Sequence, residues 1–272
     1  MGGSLFLALN QQEIFKGTIT CLSRNSQTTS WLKQNGRCNI INSIKDMPNE
    51  TELILVSTPI HTSAMIAQEI GIHSCNALVS DLASTKKEVI PAFIDGLKGK
   101  SYLSSHPMCG SEKSGFDGAK KDLYLDKTVV LTPHDNDSKQ HIQTLSDFWK
   151  NLGMKIVTLS PEEHDSGVAW VSHMPHVLIY NLMIALGHAE NKIPDLFNIA
   201  GTGLKDISRL AVSNPELWMN IVLENKNSVL KALDGLQLEI SKSKKFIEEG
   251  DKKQLQNYFG QAKEIALSKG LR

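Results

Sequence analysis

Net charge is the first thing this chain lacks. Its 272 residues carry 29 Lys plus Arg against 29 Asp plus Glu. Without a basic excess there is little to displace counterions from nucleic-acid phosphates, and no polybasic patch for an anionic membrane. Long apolar runs are also missing. The longest, residues 177–186, is broken by Asn181, whereas spanning a bilayer takes about 18 apolar residues or more. The apolar start, residues 4–9, is too short for a secretory signal core and has no basic flank. Phe6 stands where an N-myristoylation motif requires Ser or Thr. The four cysteines, at positions 21, 38, 75 and 109, form no C-x-x-C pair. They read as reduced thiols of a cytoplasmic protein, not as disulfides or zinc ligands. What is left is an ordinary globular composition, 40% hydrophobic, and enough length for one large domain or two smaller ones.

Up to residue 160 the pattern alternates helical stretches with short β runs. Helices are expected over residues 4–10, 28–34 (stopped by Gly36), 63–70 (ended by Gly71) and 86–97. Strands are expected over residues 18–22, 53–57, 77–80, 102–104 and 128–132. Continuous apolar strands between helices are the signature of a parallel sheet covered on both faces. The first domain, residues 1–160, is therefore expected to be a doubly wound, Rossmann-like α/β domain. From residue 161 to 272 only helical periods survive: 161–188 with an interruption near Pro175, then 194–200, 204–212, 215–248 and 252–268. This half is expected to be an all-α domain that dimerises through long helices.

Two further absences bear on a cofactor. A dinucleotide-binding domain opens with a strand and G-x-G-x-x-G at the mouth of a helix. This chain starts at Met1-Gly2-Gly3, already at the helix mouth. The first strand and two glycines are missing, so the start codon is expected to lie too far downstream. The second absence is an acidic residue after the strand at 18–22, where one would bind a ribose 2′-hydroxyl. Ser23 and Arg24 stand there instead, a pairing that favours the 2′-phosphate of NADP over NAD.

Chemistry-bearing side chains fall in loops beyond strand ends, where open α/β sheets bind ligands. Asp81, Ser84 and Lys86 follow one strand; Ser84 also reads as a helix cap. His106 follows another, with Cys109, Ser111 and Glu112 close behind. A histidine at such a mouth accepts protons near neutral pH. His164, Asp165, Ser172, His173 and His176 share the first helix of the second half. Their spacing lacks H-E-x-x-H and argues against a metal. A helix face lining a cleft is the better reading, with Ser172 and His176 toward substrate and His173 packed. Lys205 and Arg209, one helical turn apart, suit a dianionic substrate.

The order of these segments is more specific than any one of them. S-T-P at 57–59, D-x-x-S-x-K at 81–86, H-P-M-x-G-x-E at 106–112, L-T-P at 131–133 and H-D-x-x-x-A-x-x-S-H-x-P-H at 164–176 resemble the prephenate/arogenate dehydrogenase family of tyrosine biosynthesis. The resemblance implies a small-molecule substrate and oxidative decarboxylation. Arogenate would give tyrosine, or prephenate would give 4-hydroxyphenylpyruvate, with hydride passed to NADP. It implies that His106 takes the ring-hydroxyl proton, with Ser84 beside that hydroxyl and the nicotinamide. Ser111, Glu112, Ser172, His176, Lys205 and Arg209 would hold or gate substrate, and Trp218 would reach across a homodimer. Gly2, Gly3, Ser23, Arg24, Ser57, Thr58, Pro59 and Asp81 would line the cofactor. Lys205 departs from the arginine common in the family. Ser23-Arg24 resembles the NADP-using, arogenate-preferring cyanobacterial branch. The alternative is a dimeric homologue that has lost cofactor binding and is catalytically impaired.

Overall fold

The computed structural model describes residues 1–11, 15–73, 75–110, 115–134 and 137–270. Among the described residues, seven short strands alternate with helices through the first 160 positions. They are β1 (Thr20–Leu22), β2 (Asn39–Ile41), β3 (Leu53–Val56), β4 (Leu78–Asp81), β5 (Ser104–Pro107), β6 (Thr128–Thr132) and β7 (Lys155–Thr158). The helices among them are α1 (Gly2–Gln11), α2 (Ser26–Asn35), α3 (Ile60–Gly71), α4 (Val89–Leu97) and α5 (Lys139–Asn151).

Alternation along the strands sorts side chains onto two faces. Val56, Val79 and Tyr102 join α3 and α4 residues such as Ala67, Ile70, Phe93 and Leu97 in one core. Leu78, Leu103, Val129 and Leu131 join Leu5 and Ala8 of α1 and Leu145 and Trp149 of α5 in the other. Helices thus cover both faces, as the apolar strands predict. Glycine sets the spacing on the first face: a Cβ on Gly71 would collide with the carbonyl of Gly96, so α3 and α4 meet backbone to backbone. Gly71 is the last residue of α3, and this close approach adds to its role as a stop.

The ladders differ from expectation in two respects. β1–β2, β3–β4 and β6–β7 are parallel, but β5 runs antiparallel to β6. Among the described residues no ladder joins β1 to β3, and β4 meets β5 only through the bridge Val79↔Tyr102. Element bounds also move. The β run at 102–104 starts at Ser104 instead, so His106 sits inside β5 and not in the loop after it. α4 begins at Val89, not at residue 86, and Ser84 does not cap it.

The remaining helices are α6 (Pro161–Val168), α7 (Met174–Glu190), α8 (Thr202–Ser208), α9 (Pro215–Glu224), α10 (Lys226–Glu248) and α11 (Lys252–Ser268). α6 opens with a capping box: Ser160 accepts from the Glu163 N–H while Glu163 accepts from the Ser160 N–H. The interruption expected near Pro175 lies just upstream. Ala169–His173 forms a π-helical turn, and Pro175 sits in the first turn of α7, where no N–H partner is needed. The helix expected over 215–248 breaks at Asn225. By length and composition alone the run Pro161–Glu190 passes as long and apolar enough to cross a bilayer, with a best-window mean hydropathy of 1.2, although it holds no unbroken run of about 18 apolar residues. The chain divides into two compact units, Met1–Asn225 and Lys226–Arg272.

Candidate active site

Two buried carboxylates organise the carboxyl edge of β4 and β5. Asp81, the last residue of β4, accepts from Lys86 Nζ at 2.9 Å, the Ala83 N–H at 2.8 Å, Tyr102 Oη at 2.7 Å and Ser104 Oγ at 2.5 Å. Lys86 is fully buried and also donates to the carbonyls of Ala83 and Ser105. Burial lowers its pKa, and Asp81 opposes that shift. Every oxygen of Asp81 is engaged inside the protein. This aspartate, expected to line the cofactor, holds β4, β5 and the 83–86 turn together. Lys86 is likewise unavailable to a ligand.

The second carboxylate is Asp165 on α6. Oδ1 accepts from the Lys86 N–H at 2.8 Å, and Oδ2 from the Lys87 N–H at 2.9 Å. Oδ1 also lies 2.8 Å from Nδ1 of His164. Burial pushes the Asp165 pKa up, but these hydrogen bonds, His164 first, more than offset it and keep it low. Nε2 of His164 lies 2.9 Å from Nδ1 of His106. His106 is thus tied, through one ring, to a carboxylate on another element. Burial, helped by Lys86, His164 and His173, pulls its pKa well below the ordinary imidazole value. It is a neutral base near pH 7. Its Nε2 has no hydrogen-bond partner among the described residues.

A second histidine pair extends the cluster. His173 is 2% exposed, and Nδ1 lies 3.2 Å from Nδ2 of Asn225, which also donates to the Asp165 carbonyl at 2.6 Å. Burial lowers the His173 pKa to about 4. His176 Nδ1 donates to the Ser172 carbonyl at 2.9 Å, and its ring stacks on Trp218 with centroids 3.4 Å apart. Trp218 thus meets a histidine of its own chain. Burial lowers the His176 pKa; the Ser172 contact opposes this, and the Arg209 charge adds to it. Arg209 and Lys205 are exposed at and beside the end of α8.

Ser84 is half-buried in the turn above Lys86. Cys109 carries no thiolate, since burial raises its pKa to about 11. Ser111 and Glu112 lie outside the described residues. Among the described residues no group of three or more His, Cys, Asp or Glu is arranged to hold a metal.

The opposite side of the edge is the start of α1. A Cβ on Gly2 would collide with Oγ of Ser57, so the first turn of α1 packs closely on the loop after β3. Gly3 comes nearly as close to Ala119. Such a helix start offers unpaired N–H groups to an anion. Ser57, Thr58 and Pro59 are exposed beside it, with Pro59 opening α3. Arg24 is exposed at the end of β1, and Ser23 Oγ accepts from the Asn25 N–H that starts α2. These residues fit a nucleotide's phosphates.

Comparison with known proteins decides the family. Residues 7–158 match the model of the prephenate dehydrogenase nucleotide-binding domain, and residues 160–261 that of its dimerisation domain. The chain belongs to the prephenate dehydrogenase family. Among its relatives in this family, the prephenate dehydrogenase of Bacillus subtilis is 31% identical over 97% of this chain and 72% of its own length. The cyclohexadienyl dehydrogenase of Zymomonas mobilis is 29% identical over 85% and 79%. The crystal structure of A. aeolicus prephenate dehydrogenase with hydroxyphenyl propionate and NAD+ superposes with a TM-score of 0.89 at 31% identity, covering 98% of this chain and 94% of that one. Synechocystis arogenate dehydrogenase shares the fold, with a TM-score of 0.82 at 24% identity.

Sequence reading missed one part of this site. His164 and Asp165 stood out as poor metal ligands and as the opening of the motif at 164–176, with no role of their own, yet His164 connects to His106 across 58 residues of chain. Adjacency of His and Asp carries no signal of a partner so distant.

Proposed function

We propose that the chain oxidatively decarboxylates arogenate or prephenate, with His106 as the base. The observation that carries the reading is His106 itself: buried, neutral, held at Nδ1 by His164, and with no hydrogen-bond partner at Nε2 among the described residues. The substrate's ring hydroxyl would place its proton at Nε2 as hydride leaves the same carbon. The O–H pair becomes a C=O bond, the C–CO2 bond then breaks, and its electrons aromatise the ring. A bound nicotinamide cofactor supplies the hydride acceptor. The protein needs only to orient the ring, take one proton and hold the carboxylate.

Ser84 is assigned beside the hydroxyl, and Ser172, His176, Lys205 and Arg209 to the substrate's charged groups, with Ser111 and Glu112 completing the pocket. Trp218 buttresses His176. Gly2, Gly3, Ser57, Thr58 and Pro59 receive the cofactor. Arg24 with Ser23 supports NADP, and the same pair supports a lean toward arogenate. Unpaired apolar side chains on the helical half, Val171, Leu178 and Ile184 among them, support a homodimer. The cytoplasm is the proposed location. To test the reading, each substrate is offered with NADP and with NAD while absorbance of the reduced nicotinamide is followed. Turnover fastest with NADP is expected. Absence of turnover with every pairing overturns it.

A further inference from the structure

The hydrogen-bond chain behind His106 has a direction. A carboxylate only accepts, so the 2.8 Å contact to Asp165 puts the His164 proton on Nδ1. Burial keeps His164 uncharged against the pull of Asp165, which leaves its Nε2 bare. That bare nitrogen faces Nδ1 of His106 at 2.9 Å, and two lone pairs do not meet at that distance. His106 must donate from Nδ1, and its own Nε2 is then the atom without a proton.

We propose that His164 and Asp165 are positioning residues that lock His106 in its Nδ1–H tautomer and so make Nε2 the proton acceptor. The inference rests on the oxidative reading above for its consequence, not for its geometry. The Asp165 carboxylate cannot turn away, because the Lys86 and Lys87 N–H groups hold both of its oxygens. The other charged or titratable groups facing the chain, Lys86, Asp81 and His173, are fixed by partners of their own. Once the hydroxyl proton reaches Nε2, the resulting imidazolium keeps its Nδ1–H on a ring that is backed by a carboxylate, which favours the charge.

The test compares two substitutions. His164→Leu removes the acceptor for His106. His164→Gln keeps one, since Oε1 can occupy the place of Nε2. Expected is a loss in kcat of about 100-fold or more for His164→Leu, with KM within about threefold, and recovery to within about tenfold of the parent for His164→Gln. Equal activity of the Leu variant, or a Gln variant no better than a folded Leu variant, overturns the proposal. Should the Leu variant not fold, long-range nitrogen correlation spectra of the histidine-labelled parent decide alone: protonated Nδ1 and bare Nε2 on His106 are expected, and the reverse overturns the lock. These spectra need no substrate. A parent that turns over neither substrate but shows this tautomer breaks the oxidative reading and leaves the lock standing.

Discussion

Asp81 and Asp165 are both buried, both bonded to backbone N–H groups, and both paired with a basic side chain. They differ in where the pairing ends. Asp81 closes on itself: ammonium, phenol, hydroxyl and amide use up its oxygens, and Lys86 spends its other protons on carbonyls. Asp165 passes its influence outward, through His164 to His106, to a nitrogen with no hydrogen-bond partner among the described residues. A buried polar network with every valence used holds structure; one with a single open end performs chemistry.

The largest test of that contrast is His106→Asn. It should lower kcat by about 100- to 10,000-fold with substrate affinity changed by no more than about threefold, as read by steady-state kinetics and substrate titration. Parallel loss of affinity would remove His106 from the open end. Next is Asp81→Asn, which leaves the Lys86 ammonium buried without its partner and should destabilise the fold by about 3–5 kcal/mol in denaturant unfolding. The double variant with Lys86→Met should regain much of that loss. A stable Asp81→Asn protein would show that the closed network is dispensable.

A smaller effect is expected from pH. His106, His164 and His173 all have pKa values lowered by burial. The unfolded chain takes up protons below about pH 6.5 that the folded chain refuses. Their contribution to stability is complete above that value and is lost as pH falls toward the His173 value of about 4. The thermal midpoint should drop across this window, with a slope of at most about 1.4 kcal/mol per pH unit for each histidine. A flat profile would mean that these rings accept protons in place. Smallest is Arg24→Ala, expected to raise KM for NADP by about tenfold, roughly 1.4 kcal/mol, while leaving NAD within about twofold.

Legibility in the sequence followed burial and local pattern. The apolar strands β3 and β6 and the helix α11 stand within a residue or two of their periodic signals. β2 and β7 escaped because they are three and four residues long and mostly exposed or half-exposed, so no apolar run marks them. β5 was displaced because Ser104, Ser105 and His106 are polar and yet buried. Its interior is hydrogen-bonded through contacts remote in sequence, with Asp81, Ser80 and His164. α5 was the avoidable omission: Ser138 caps it, and Ile142, Leu145 and Trp149 recur at helical spacing. In the site, the loop residues and His106 were legible from type and place. The roles of Asp81 and Asp165 were not, since what separates them is only the identity of third partners.

The widened turn at Ala169–His173 sits between the half of its helical run that carries His164 and Asp165 and the half that carries His176. It acts as a phase shifter. Deleting one residue there, such as the exposed Val171, would rotate all that follows by about 100°. His173 and His176 would turn away from the side on which His164 and Asp165 lie, although the run would remain helical throughout. In this molecule a single angle along one rod decides whether two sets of imidazoles address the same space.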